Sequence, residues 1–125
     1  MNFGNYLKKL RTMKGLRQVD LAEEIGISVV YVCDIEKGRR YPPDLLRLRK
    51  WIKLLTLSDE ESTLLLDLAG NARDEFPPDI AEYLETTPGA KRAIRRIMKQ
   101  PEMFDWESIY HDGLEQGYAK NTDVH

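Results

Sequence analysis

The chain has few of the residues on which most enzymes and metalloproteins depend. Among its 125 residues there is one cysteine, Cys33, and there are two histidines, His111 and His125. A single thiol excludes an internal disulfide framework. The histidines stand far apart with no cysteine near either, so no zinc-ligand spacing exists. No segment approaches the roughly 20 apolar residues of a membrane-spanning helix. The N-terminus lacks the apolar core of a signal peptide, and the expectation is a cytoplasmic protein with no membrane partner. There is no Gly-rich phosphate loop behind a strand, and no Ser/His/Asp set. Lys99, Asp105 and Ser108 are near one another in sequence, but a self-cleaving tail of the Ser/Lys type is β-rich, whereas this tail reads helical and is too short. Strand-like alternation, internal repeats and low-complexity tracts are also missing. A non-enzymatic chain without metal or cofactor is expected.

What is present is charge, unevenly placed. Residues 1–55 hold twelve Lys/Arg against six Asp/Glu, a balance of +6, while residues 56–125 hold seven against fifteen, a balance of −8. A basic front half supplies the kind of surface that binds phosphates. An acidic rear half avoids nucleic acid and favours other partners.

Apolar residues recur at helical spacing along the chain. Residues 2–14 read as a first helix carrying Phe3, Tyr6, Leu7, Leu10 and Met13, ended by Gly15. A second helix is expected at about 18–25 and a third at about 28–37, with Gly38 as its stop. Pro43 starts a fourth, with Leu45, Leu48, Ile52 and Leu55 on its apolar face. Ser58 and Glu61 form a capping-box pattern opening a fifth helix at about 59–69, with Leu64, Leu65, Leu68 and Ala69 apolar and Gly70 closing it. Residues 71–78 read as a linker. Three further helices are expected at about 79–86, 89–99 and 104–117. The second carries Lys91, Arg92, Arg95, Arg96 and Lys99 opposite Ala90, Ala93, Ile94 and Ile97, a pattern that is most often a solvated face and otherwise a binding one. The third carries Trp106, Ile109, Tyr110 and Leu114. The tail from Ala119 is expected to fray.

The densest information lies between Arg17 and Gly38. Leu21, Ala22, Ile25, Ile27, Val32 and Ile35 share one core face. The small Ala22 permits two helices to cross closely. Gly26 stands where a left-handed turn follows the second helix, and Ser28 stands at the N-cap of the third. That is the layout of a helix-turn-helix. With Leu10-Arg11, Gly15-Leu16, Gln18, Tyr31, Ile35-Glu36 and Gly38, the first half of the chain resembles the lambda-repressor-like, or Cro/XRE-type, helix-turn-helix proteins. The resemblance implies an all-α fold with a five-helix lambda-repressor-like domain over residues 1–70, and the residue pattern beyond it adds the 71–78 linker, a short helical C-terminal region over 79–118 and a tail over 119–125.

It also implies a site on double-stranded DNA. Gln18, at the start of helix two, would meet a phosphate. Arg17 stands where Ser or Thr is common; it cannot cap by accepting, but it reaches a phosphate. Ser28, Val29, Val30, Tyr31, Cys33 and Asp34 occupy the stretch that reads bases. Val29 and Val30 suit thymine methyls, Asp34 suits cytosine N4, and Tyr31 a phosphate or a base edge. The valines also suit packing on a protein surface, because this face lacks the Gln, Arg, Ser or Lys common in the family. Lys37, Arg39 and Arg40 would bind phosphates, or form a plain solvated loop; Lys8, Lys9 and Lys14 are undecided. Cys33 is more simply a small apolar residue than an oxidant sensor. Arg11 and Glu36 read as a structural ion pair between helices one and three.

Three functions remain open: a sequence-specific regulator, most simply a dimeric repressor; an antitoxin whose acidic C-terminal region binds a toxin, with DNA binding used for autoregulation; or a protein-interaction module on the same fold that has lost DNA binding. A homodimer is expected because sites for such proteins are two half-sites about 34 Å apart. Ile94, Ile97, Met98, Phe104, Trp106, Ile109, Tyr110 and Leu114 either build that dimer or pack back on helices four and five.

Overall fold

The computed structural model describes residues 1–115, with Leu114 and Glu115 described by their backbone alone. The tail from Ala119, His125 and the side chain of Leu114 therefore lie outside the described residues. Within them the chain is all helical: α1 (Phe3–Met13), α2 (Gln18–Ile25), α3 (Val29–Glu36), α4 (Leu45–Leu54), α5 (Asp59–Ala72), α6 (Pro78–Thr86), α7 (Ala90–Lys99), a short 3-10 turn (Pro101–Met103) and α8 (Trp106–Glu115). Among the described residues no helix is long and apolar enough to cross a membrane.

Helices α1, α3, α4 and α5 start where side chains satisfy free backbone N–H groups. The Asn2 side chain accepts the Asn5 N–H at 2.9 Å, and Ser28 Oγ accepts the Tyr31 N–H at 3.1 Å. Asp44 Oδ1 accepts the Arg47 N–H at 3.1 Å. This places the start of α4 later than the expected Pro43: the carboxylate of Asp44 is the cap, and the proline precedes it. Ser58 and Glu61 exchange both bonds of the capping box, at 3.1 and 2.9 Å. The backbone hydrogen bond from Ser58, and then the charge of Lys14 at 3.6 Å, hold the Glu61 carboxyl below its ordinary value despite some desolvation.

Gly70 does not close its helix. It lies inside α5, and a methyl group there would overlap the backbone of Phe76 and Pro77. The missing side chain lets the chain fold back across the helix, and Asp74 (φ 54°) takes the left-handed position instead. The first compact unit accordingly runs from Met1 to Thr86, beyond the 71–78 segment read as a linker, and includes α6. Arg49 donates to Glu82 at 3.3 Å, joining α4 to α6.

The core of this unit is Phe3, Tyr6, Leu7, Leu10, Leu21, Ala22, Ile25, Val32, Ile35, Leu48, Trp51, Leu55, Leu65, Leu66 and Ala69. Trp51 and Leu66 were not on the expected faces. Trp51 is fully buried, and its indole N–H donates to the Leu21 carbonyl at 2.9 Å, satisfying its polar atom. Leu66 takes the place expected for Leu64; two residues apart, they point about 200° from one another on a helix, and Leu64 is exposed. Met13 is exposed as well, since it ends α1 just before the chain reverses at Gly15 (φ 74°).

Close packing of α1 on α3 rests on Gly4, where a methyl group would overlap the carbonyl oxygens of Ile35 and Glu36. The second unit begins at Thr87. Gly89 (φ 80°) leads into α7, which packs on the 3-10 turn. No hydrophobic side chain is buried among its described residues.

Two predictions arise from this packing. Gly4→Ala should destabilise the protein by roughly 1–3 kcal/mol through overpacking against backbone, read from urea denaturation. Glu61→Gln should lower the thermal midpoint at neutral pH. Because folding depresses the Glu61 pKa, its stabilisation is full above the ordinary 4.5 and is lost as pH falls through the lowered value. The gap between variant and wild type should therefore narrow on acidification.

Candidate nucleic-acid interface

Each of the two helices that shape this surface is eight residues long. Gly26 (φ 71°) ends α2, and the Ile27 N–H closes on the Ala22 carbonyl at 3.0 Å. That positive φ is free of steric cost only at glycine. Ser28 then caps α3. Val32 and Ile35 enter the core, which forces the other faces of α3 outward. Ser28, Val29 (41% exposed) and Val30 (69% exposed) lie open at its N-terminal end. Tyr31, Cys33 and Asp34 are half-buried, and Lys37, Arg39 and Arg40 are exposed beyond its C-terminus.

The orientation of α3 is set from behind. Arg11 donates through Nε to Glu36 Oε2 at 2.7 Å and through Nη2 to Oε1 at 3.1 Å. Its Nη1 reaches the Leu16 carbonyl at 3.0 Å. Both side chains are nearly enclosed, at 13% and 3% exposure. A forked guanidinium–carboxylate contact fixes direction as well as distance, so α1 and α3 are locked together. Gln18 joins the pair: its Nε2 donates to Glu36 Oε1 at 2.9 Å. The side-chain amide of Gln18 is thus turned onto the ion pair.

Arg17 is held at the start of α2. Its N–H donates to Asp20 Oδ2 at 2.8 Å, and its guanidinium donates to Oδ1 at 3.0 Å. The side-chain hydrogen bond, with the charge attraction, raises the Arg17 pKa and lowers that of Asp20. The arginine side chain remains 76% exposed, so the pair is screened and leaves the cation available to a second anion.

The cations behind α3 are likewise arranged by its own side chains. Arg40 stacks over the Tyr31 ring at 4.7 Å. Arg39 stands 4.0 Å from Asp34. Tyr31, Asp34, Arg39, Arg40 and Tyr41 line one groove. Gln18, Cys33, Lys37 and Arg39 line a smaller depression with Asn5 and Lys8. The structure therefore gathers Lys8, undecided from sequence, with the basic residues after α3.

Sequence reasoning missed Tyr41 and Arg73. Arg73 was assigned to a linker. Its Nη2 donates to the Pro42 carbonyl at 2.9 Å, and its guanidinium lies 4.9 Å over the Tyr41 ring. It clamps the loop that carries Arg39 and Arg40. The signal was faint: a lone arginine 31 positions from its partner has no local pattern to mark it.

Glu36→Ala should cost roughly 3–5 kcal/mol, because Arg11 would be left enclosed without its carboxylate. Chemical denaturation measures the loss directly.

Residues 7–61 match the helix-turn-helix family model. An uncharacterized HTH-type transcriptional regulator of Methanocaldococcus jannaschii is 33% identical over 60 residues, covering 48% of this chain and 25% of that relative. The chain thus spans a quarter of the relative's length. A solved chain from a SinR protein/SinI protein complex aligns with a TM-score of 0.44 at 24% identity, covering 81% of this chain and 95% of that one. The Gly26 turn, the Ser28 cap and the enclosed Arg11–Glu36 pair all lie within the matched segment, so residues 7–61 form a helix-turn-helix domain similar to those of the lambda-repressor-like (Cro/XRE-type) family.

Proposed function

We propose that the protein is a non-enzymatic, cytoplasmic, sequence-specific DNA-binding transcription regulator, acting as a dimeric repressor with α3 in the major groove of double-stranded DNA. The observation that carries this reading is the exposed N-terminal face of α3, locked to α1 by Arg11 and Glu36 and flanked by three exposed cations, Lys37, Arg39 and Arg40. A rigid helix face beside a basic loop suits base readout on one side and phosphate binding on the other. The name of the Methanocaldococcus jannaschii relative supports the same reading.

Val29 and Val30 present methyl groups to thymine methyls, and Ser28 offers a hydroxyl to a base edge. Asp34 accepts from cytosine N4 when Arg39 swings from it to a phosphate. Arg40, held over Tyr31, loses little freedom on reaching a phosphate because its direction is already set. With the Gln18 amide on Glu36, the phosphate at the start of α2 is met by the free backbone N–H groups of its first turn and by Arg17. Few bidentate base contacts are available on this face, so DNA shape carries part of the specificity.

Arg39→Ala combined with Arg40→Ala should weaken binding to every duplex. Each lost phosphate contact should flatten the log–log salt dependence by about 0.9. Val30→Ala should instead change discrimination at only a few base positions. Fluorescence anisotropy across a salt series reads both effects. A double arginine variant with wild-type affinity and slope would refute this docking.

A further inference from the structure

We propose that the second unit is a self-complementary dimerisation surface, on which α7 of one chain packs against α8 of a second copy. The first observation is the lack of a core among the unit's described residues. Met98, Met103, Phe104, Trp106, Ile109 and Tyr110 are all between 42% and 69% exposed. A unit of this size cannot bury enough surface by itself to be stable, and oligomerisation is a usual remedy. Large apolar side chains concentrated in so short a segment mark an interaction site.

The second observation identifies the occupant. Every charged residue of α7 is basic: Lys91, Arg92, Arg95, Arg96 and Lys99. Every fully charged residue from 100 to 115 is acidic: Glu102, Asp105, Glu107, Asp112 and Glu115. The two sets balance. Yet among the described residues no ion pair joins Arg92, Arg95, Arg96 or Lys99 to a carboxylate, and the one pair described within α8 is His111 with Glu107 at 3.9 Å. A second copy supplies both missing partners. About a two-fold axis, the basic helix of each chain meets the acidic helix of the other. The contact is isologous and closed. The aromatic and methionine side chains form its centre and the charges its rim, as in other protein interfaces. A foreign partner of one charge sign would satisfy only half of this surface.

The inference rests on the dimeric reading above and specifies its surface. Sedimentation velocity of the full chain without DNA tests it separately from DNA contact. The wild type is expected at the mass of a dimer. Arg92→Glu with Arg95→Glu and Arg96→Glu, or Glu102→Lys with Glu107→Lys and Asp112→Lys, should each raise the dissociation constant at least about 100-fold, since like charges then face each other. Mixing the two triple variants should restore a mixed dimer. Trp106→Ala, at an exposed position that the single chain tolerates, should also weaken the dimer while circular dichroism shows the helices retained. A monomeric wild type, charge variants that dimerise like wild type, a mixture that does not associate, or a Trp106→Ala dimer of unchanged affinity would each overturn the proposal. None of these results touches the DNA contact, and a failure of the Arg39 and Arg40 test leaves the sedimentation result standing.

Discussion

The carboxylate of Glu36 is the point on which the first unit turns. It is the one charged residue buried among the described residues, and it accepts from Arg11 on α1 and from Gln18 on α2 while standing at the end of α3. Three helices thus meet on a single group. Such a pair adds little net stability over apolar residues of the same volume, because both charges must be stripped of water. What it supplies is direction: a forked contact admits one relative orientation, whereas leucines would tolerate several. Gly4 and Ala22 remove the side chains that would otherwise keep the helices apart, and the ion pair then sets their angle.

That constraint makes the outer surface meaningful. The buried side of α3 is occupied by Val32, Ile35 and Glu36, so its remaining residues have no choice but to face outward. The loop after it is restrained in turn. Arg40 lies on Tyr31, and Arg73 holds Pro42 and Tyr41 from the far end of α5. Cations fixed in this way cost less entropy on meeting an anion than free side chains do. The clamp also explains why the first unit extends past the fifth helix: the turn that follows α5 is part of the wall of the groove.

The two units differ in physical character. The first closes around a core that includes a fully buried tryptophan with its indole satisfied. The second has amphipathic helices and no buried apolar side chain among its described residues. Its charges balance, a basic α7 against the acidic segment that follows, and the acidic surplus of the rear half lies instead between residues 59 and 85, in the first unit.

Much of this was legible in one dimension because the causes are local. Helix spacing, Gly26, Ser28 and the Ser58–Glu61 box each act within a few residues, and a pattern of that range is visible in a string of letters. The Arg11–Glu36 pair was legible too, though through resemblance, since nothing in the spacing of two residues 25 apart announces contact. Trp51 was missed because it sits beside an apolar stripe that already looked complete. Gly70 was misread because a glycine near a helix end suggests a stop; only the chain crossing over it shows that it serves close approach. The inward turn of Gln18 and the clamp of Arg73 depend on where distant segments arrive. The sequence by itself determined the helical segments, the Ser28 and Ser58 caps and the face of α3 that must be buried, because side-chain periodicity and backbone preference are properties of neighbours. Only the tertiary structure decided which polar side chains spend their hydrogen bonds inside and which remain free for a partner, because that choice depends on distances between residues that the chain brings together only on folding.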